Sequence, residues 1–92
     1  MEVKKEEKRV DEMKVGEAVR RRIRDLCAAR GITVNKLSTI SGITQSTLNN
    51  IVGGRNNSAT VATIQKICNG LGITLVDFFD DVLFSHLEQE IE

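Results

Sequence analysis

Four threonines and four glycines divide the middle of this 92-residue chain into short segments, and the chain contains no proline. Each glycine closes one segment and the threonine after it opens the next. Threonine is a favourable N-cap, and glycine takes the left-handed conformation that commonly ends a helix. The pattern predicts short helices joined by tight loops. The residues concerned are Gly31, Thr33, Gly42, Thr44, Gly53, Thr60, Gly72 and Thr74.

Apolar residues recur at helical spacing within each of these segments, and no segment alternates as a strand does. The spacing predicts an all-α bundle of five helices. The expected helices cover 15–30, 34–41, 45–52 and 61–71, with a fifth that starts at 75 and keeps inward-facing residues as far as Leu83. The chain length suits one small domain with a modest core.

Several classes of protein are excluded by what the sequence lacks. No apolar run is long enough to span a membrane, and no signal-peptide core follows the charged N-terminus, so we expect a cytoplasmic protein without membrane contact. Cys27 and Cys68 stand 41 positions apart without a CxxC motif and are expected to be small buried hydrophobes. Together with His86 they form no catalytic or ligand motif. We therefore expect no enzyme activity, no metal, no cofactor and no small-molecule site.

The formal net charge is zero, but the charges are segregated along the chain. Residues 1–30 carry ten Lys or Arg and seven Asp or Glu. Residues 31–70 carry three Lys or Arg and no acid, and residues 71–92 carry six acids and no Lys or Arg. A central block without carboxylates is compatible with approach to phosphates, whereas the acidic end should stay away from them.

The segment GITQSTLNNIVGGR, residues 42–55, has an unusual composition for a helix. Leu48, Ile51 and Val52 mark a buried face, but the other positions of the expected helix carry neutral hydrogen-bonding side chains: Gln45, Ser46, Thr47, Asn49 and Asn50. Ser, Thr and Asn are mediocre helix formers, since their side chains compete for nearby backbone groups. Such side chains suit contact with base edges. Two short helices around a glycine turn form a helix-turn-helix, whose second helix reads the DNA major groove.

The stretch GITVNKLSTISGITQSTLNNIVGGRNNSATVATIQKICNGLGITLVDFF resembles the Cro/CI-type (XRE) helix-turn-helix family of bacterial and phage regulators. The KIxxxLGIxLxxFF pattern within it resembles the family's fourth helix and the start of its fifth. The resemblance covers residues 16–79 and implies a five-helix, lambda-repressor-like transcriptional regulator, with a repressor favoured. It places Gln45, Ser46 and Asn50 at base-contacting positions, and we include Asn49 beside them.

The resemblance also implies contacts to the phosphate backbone, with one departure. The family often has a phosphate-contacting Gln at the first position of the second helix, where this chain has Val34. That contact is either absent or supplied by a neighbouring residue. The expected backbone-contacting residues are Thr33, Asn35, Lys36, Thr44, Thr47, Arg55, Asn56 and Asn57.

The sequence is compatible with two interpretations of the function. The favoured one is a sequence-specific regulator that binds a palindromic operator in double-stranded DNA as a homodimer. The alternative is an interaction adaptor or antitoxin-like module on the same fold, with weak DNA binding or none. Among DNA-binding proteins, the sequence does not distinguish a phage repressor, a mobile-element regulator, an antitoxin and a restriction-modification controller.

The two ends of the chain flank the expected DNA-binding domain at 15–83. Residues 1–14 form a charged extension that is either helical or disordered, and 84–92 are expected to form an acidic helical extension. On that helix Phe84, Leu87 and Ile91 would form an apolar stripe. We expect this stripe to join two copies, the alternative being that it folds back onto its own domain or onto the N-terminal segment.

Overall fold

The computed structural model describes residues 13–54 and 59–88, and within these ranges the chain forms five α-helices and no strand. The helices are α1 (Val15–Arg30), α2 (Val34–Ser41), α3 (Gln45–Val52), α4 (Val61–Leu71) and α5 (Leu75–Phe79), followed by a 3-10 turn at Val82–Phe84. The predicted all-α, five-helix class is confirmed, and the bounds of the first four helices match the expected ones. None of the helices in the described ranges has the length and apolarity needed to cross a membrane.

The predicted threonine caps are present at all four positions. Each threonine Oγ1 accepts a hydrogen bond from the backbone N–H three residues later, at 3.0 to 3.2 Å. At Thr74 the cap is reciprocal, because the Asp77 side chain also accepts from the Thr74 N–H. These contacts satisfy N–H groups that have no partner within the helix, so they fix where each helix begins.

The core is mainly aliphatic and lies where all five helices meet. α2 packs on α4, α3 packs on both α1 and α2, and α5 packs on α4. The buried cluster comprises Val19, Ile23, Cys27, Leu37, Leu48, Ile51, Val52, Ile64, Ile67, Cys68, Leu71 and Phe78.

Two glycines bring the second, third and fourth helices together. Gly42, at φ 69°, forms the left-handed turn between α2 and α3. Gly70 lies against the end of α2, where an added Cβ would stand 2.6 Å from Ser41 Oγ and 2.9 Å from the Ile40 carbonyl oxygen. A larger side chain at residue 70 would therefore force α2 and α4 apart and shift the helix-turn-helix.

The C-terminal part differs from the sequence-based prediction. α5 ends at Phe79 instead of continuing to Leu83, because Arg22 on α1 takes the carbonyls that a longer helix would use. Its Nε and Nη2 donate to the carbonyls of Phe78 (2.6 Å) and Asp77 (2.8 Å). Its Nη1 lies 3.1 Å from Asp81 Oδ2, and Asp81 is extended, with φ −154° and ψ 149°.

The expected C-terminal helical extension is also not observed in its described part, residues 84–88. Leu87 forms an isolated parallel bridge with Met13, and the Glu88 N–H donates to the Met13 carbonyl at 3.0 Å. Met13 is buried beneath this pairing. The two ends of the described chain therefore lie side by side, outside any helix.

Candidate nucleic-acid interface

α3 has one face in the core and the opposite face in solvent. Leu48, Ile51 and Val52 are buried, with Leu48 completely inaccessible. Gln45, Ser46, Thr47 and Asn49 are exposed, and Asn50 is half-buried at the edge. Because the buried face anchors the helix to α1 and α2, the polar face is presented by a rigid support.

The four predicted base-contacting residues are not equivalent in this structure. Gln45, Ser46 and Asn49 are exposed, and at positions i, i+1 and i+4 they lie on one side of the helix. Asn50 has less accessible surface and sits closer to the protein. Two of the three exposed residues, Gln45 and Ser46, therefore lie in the first turn of α3, the part that enters the groove in a helix-turn-helix.

The start of α3 carries two linked hydroxyl groups. Thr44 Oγ1 accepts from the Thr47 N–H at 3.2 Å and lies 2.9 Å from Thr47 Oγ1. When Thr44 donates in the hydroxyl pair, the Thr47 hydroxyl keeps its own hydrogen. That hydrogen and the positive end of the helix dipole can both face a phosphate oxygen. Thr44 and Thr47 thus form a small donor group beside the exposed polar face of α3.

The start of α2 offers a second donor group, despite Val34. The Val34 side chain is half-buried and packs against the core, so it has no polar group to offer a phosphate. The residues on either side are exposed: Thr33 caps the helix through the Lys36 N–H, at 3.0 Å, and the Asn35 and Lys36 side chains are open to solvent. Any phosphate contact at this helix start must come from these three.

Sequence reasoning missed two arginines that lie beside the end of α3. Arg24 Nη2 donates to the carbonyl of Val52, the last residue of α3, at 2.7 Å. The Arg20 guanidinium passes close to Gly54, where an added Cβ would lie 3.5 Å from Nη1. The two arginines are four residues apart on α1 and therefore share one face. That spacing is the signal in the sequence that could have found them.

The charges of the described residues are unevenly placed around the fold. α2, α3 and α4 carry no acidic residue, whereas Asp77, Asp80, Asp81 and Glu88 lie on α5 and beyond it. α5 packs on α4, while α3 packs on α1 and α2. Among the described carboxylates, only Glu17 and Asp25 lie on a helix that contacts α3, namely α1, and the other four lie on α5 and beyond it.

Not all of the predicted site residues fall within the structure. Arg55, Asn56, Asn57 and Ile91 lie outside the described residues. Phe84 packs against the core, with ring centroids 4.9 Å from Phe79 and 6.2 Å from Phe78. Leu87 pairs with Met13. The expected helical stripe of Phe84 and Leu87 is therefore wrong, because neither residue lies in an α-helix and both contact their own domain.

The cysteines lie in the core, as predicted. Cys27 and Cys68 are both free thiols and are 5% and 1% exposed. Burial raises the pKa of both thiols, and at Cys68 the nearby Asp77 carboxylate adds to the increase in pKa. Burial and a raised pKa both make a thiol less reactive. Nowhere in the described ranges do three or more His, Cys, Asp or Glu residues come together as a metal site would require.

Comparison with known proteins decides the family. The family model described as "Cro/C1-type HTH DNA-binding domain" matches residues 22–83, well over half of the chain. The chain belongs to this family. The Cro/C1-type domain is similar to the protein in the crystal structure of prophage Lp1 protein 11. The two chains share 38% identity with a TM-score of 0.69, over 75% of this chain and 91% of the other. No curated protein matches the chain significantly.

The family match covers the whole helix-turn-helix and agrees with its geometry. It makes the Cro/C1-type domain a DNA-binding regulator, a kind of protein distinct from enzyme families, with double-stranded DNA as its partner. The half-buried Val34 and the C-terminal pairing of Leu87 with Met13 are features of this chain's own structure.

Proposed function

We propose that the Cro/C1-type domain is a sequence-specific transcriptional repressor that binds a palindromic operator as a homodimer. In this proposal α3 enters the major groove. Gln45, Ser46, Asn49 and Asn50 contact base edges, and Gln and Asn do so by giving and accepting a hydrogen bond with adenine. The backbone contacts come from the starts of α2 and α3 and the loop after α3, at Thr33, Asn35, Lys36, Thr44, Thr47, Arg55, Asn56 and Asn57.

One observation carries the proposal: α3 presents uncharged hydrogen-bonding side chains to solvent on a helix whose other face is fully anchored. An ordinary exposed helix face gains stability and solubility from Glu, Lys, Arg or Ala. None of Gln45, Ser46 and Asn49 carries a charge, and Ser and Asn are also weak helix formers. Contact with base edges would explain these residues. Neutral hydrogen-bonding side chains can pair with base edges at close range, and they bring no charge that would need a partner there.

We propose a homodimer because a single copy can make few contacts with DNA. The reading end of α3 is short enough to cover only a few base pairs, and Lys36 is the one cation on α2 and α3. Two copies on a two-fold site add their contacts, and their half-sites are then separated by about 34 Å or a multiple of it.

The test is selection of binding sites from random duplex DNA with the full chain, followed by shift assays on the selected site and on a scrambled duplex. We expect an inverted repeat to be enriched, and we expect binding to the scrambled duplex to weaken steeply with added salt. Placing the selected site over a promoter should lower transcription of a reporter. No enrichment, and no binding to any duplex at low salt, would instead support the interaction-adaptor alternative.

A further inference from the structure

An apolar groove runs between the start of α1, the start of α4 and the end of α5. Val15, Val61 and Phe79 line it with much of their surface in solvent, at 38%, 66% and 37% exposure. Val61 is the first residue of α4, and Val15 is the first residue of α1. A first-turn position on a surface helix has no need of an exposed valine, and here two such valines share one groove.

The apolar surface continues beyond the groove through Phe79. A second, shallower depression is lined by Leu75, Val76, Phe79 and Asp80. Val76 is 77% exposed. Because Phe79 belongs to both depressions, Val15, Val61, Val76 and Phe79 form one connected surface, called here the apolar face. A connected apolar surface of this kind marks an interaction site more often than scattered exposed side chains do.

Opposite charges stand at the two ends of the apolar face. Lys14 lies at the α1 end of the groove, and Asp80 lines the depression beside Val76. Neither residue takes part in an ion pair with another described residue, in contrast to Arg20 with Glu17 and Arg22 with Asp81. Within the part of the chain that the structure describes, the face therefore has a cation at one end and a carboxylate at the other, neither of them in an ion pair.

We propose that the apolar face is the homodimer interface and that it binds the same face of a second copy. A two-fold arrangement brings each patch against itself in reverse, so the cation at one end meets the carboxylate at the other end of the partner. Lys14 of each copy then pairs with Asp80 of the other, around a centre formed by the valines and Phe79. This inference rests on the proposed function for its biological use, the binding of a two-fold operator.

The location of the face is compatible with DNA binding by both copies. Its residues come from the N-terminal ends of α1 and α4 and from α5, and none comes from the exposed side of α3. Arg20 lines the groove and also passes Gly54, just after α3. The dimer contact would thus adjoin the end of the reading helix while leaving Gln45, Ser46 and Asn49 free.

The first experiment measures the mass of the full chain by sedimentation over roughly 1 µM to 1 mM protein, without DNA. We expect Val61→Glu and Val76→Glu each to raise the dimer dissociation constant by about tenfold or more. Both substitutions place an acid in the first turn of a helix, where it favours folding. The matched control is Val82→Glu, because Val82 is 75% exposed but lines neither depression.

The second experiment exchanges the end charges. Lys14→Glu and Asp80→Lys should each weaken self-association, because each homodimer then contains two like-charged pairs. An equimolar mixture of the two variants should associate more tightly than either alone, since both pairs are attractive in the mixed dimer. Each substitution again suits its helix end, so loss of folding, checked by circular dichroism, is not expected.

The outcomes separate this inference from the proposed function. Three outcomes would each overturn the interface. The wild-type chain could be a monomer at every concentration tested, or its dimer could be unaffected by Val61→Glu and Val76→Glu. The third is a mixture of the Lys14→Glu and Asp80→Lys variants that associates no more tightly than either variant alone. A dissociated Val76→Glu variant that retains weak binding to the selected DNA would uphold both the interface and DNA reading. A wild-type chain that forms the dimer but binds no duplex DNA would support the interface and contradict the proposed DNA-binding function.

Discussion

The Arg24 guanidinium holds the end of α3, with Nη2 donating to the carbonyl of Val52 at 2.7 Å. Val52 is the last residue of α3, and its carbonyl has no partner within the helix. A cation at this end also complements the helix dipole. Since α1 itself is anchored by buried Ile23 and Cys27, Arg24 links the position of α3 to a fixed part of the fold.

Replacing Arg24 with Ala should loosen α3 as well as remove a charge. We expect the free energy of unfolding to fall by about 1 kcal/mol and the affinity for the selected DNA site to fall more than that for random duplex. Denaturant unfolding and shift assays measure the two effects. Arg21→Ala is the control, because Arg21 is exposed on the same helix and makes no hydrogen bond to the other described residues. Equal effects of the two substitutions would contradict a positioning role for Arg24.

Replacing Gln45 with Ala should alter sequence preference. The exposed amide at the start of α3 is expected to contact a base, so its loss should cost about 1–3 kcal/mol on the selected site and little on random DNA. Competition shift assays give the ratio of the two affinities. Gln65→Ala removes the same side chain from the exposed side of α4 and should leave that ratio unchanged. If both kinds of DNA weakened equally, Gln45 would be a backbone contact.

Replacing Lys36 with Ala should weaken binding to every sequence alike. Lys36 is exposed at the start of α2, beside the Thr33 cap. Loss of one phosphate contact is expected to reduce the slope of log affinity against log salt by about one unit. The slope is measured by titrating salt in a fluorescence-anisotropy assay, with Lys66→Ala on α4 as the control. An unchanged slope would show that Lys36 does not touch a phosphate.

The sequence predicted those helices whose ends are set by neighbouring residues. Thr33 to Gly42 and Thr44 to Gly53 contain their own caps, so local chemistry decides where α2 and α3 begin and end. α5 could not be predicted in the same way. Its end depends on Arg22, which lies 55 residues before Asp77 in the chain, and no local pattern reveals that contact.

The same distinction applies to the candidate site. The exposed face of α3 follows from the period of Leu48, Ile51 and Val52, so Gln45, Ser46 and Asn49 could be placed from the sequence. The contact between Arg24 and Val52 joins residues 28 apart and depends on how α1 crosses α3. The Phe84 stripe failed for a related reason: the helical period was extended past Asp81, where the backbone is extended.

The cysteines should react slowly and affect the pH dependence of stability. Cys27 and Cys68 are buried, and burial raises the pKa of both thiols. Below the usual thiol pKa of about 8.5 their contribution to stability is fully present. Above it the unfolded chain loses these protons before the folded chain does, so stability falls as pH rises. Denaturant unfolding between pH 7 and 10 measures the fall. It should be smaller in the Cys27→Ala, Cys68→Ala variant, which should keep its DNA preference. Rapid labelling of both thiols in the native protein would contradict burial.

Replacing Phe84 with Ala should destabilise the fold, and its effect on self-association should be no larger than this loss explains. The Phe84 ring packs edge-on at 4.9 Å from Phe79 and contacts the core beside Phe78. Because the ring is only half-buried, we expect a loss of about 1–3 kcal/mol in the free energy of unfolding, below that of a fully buried Phe.

Val82→Ala, in the same 3-10 turn but 75% exposed, should change stability by less than about 0.5 kcal/mol. Denaturant unfolding and sedimentation of both variants provide the comparison. A folded Phe84→Ala protein with wild-type stability and no dimer would instead make Phe84 the direct contact between copies.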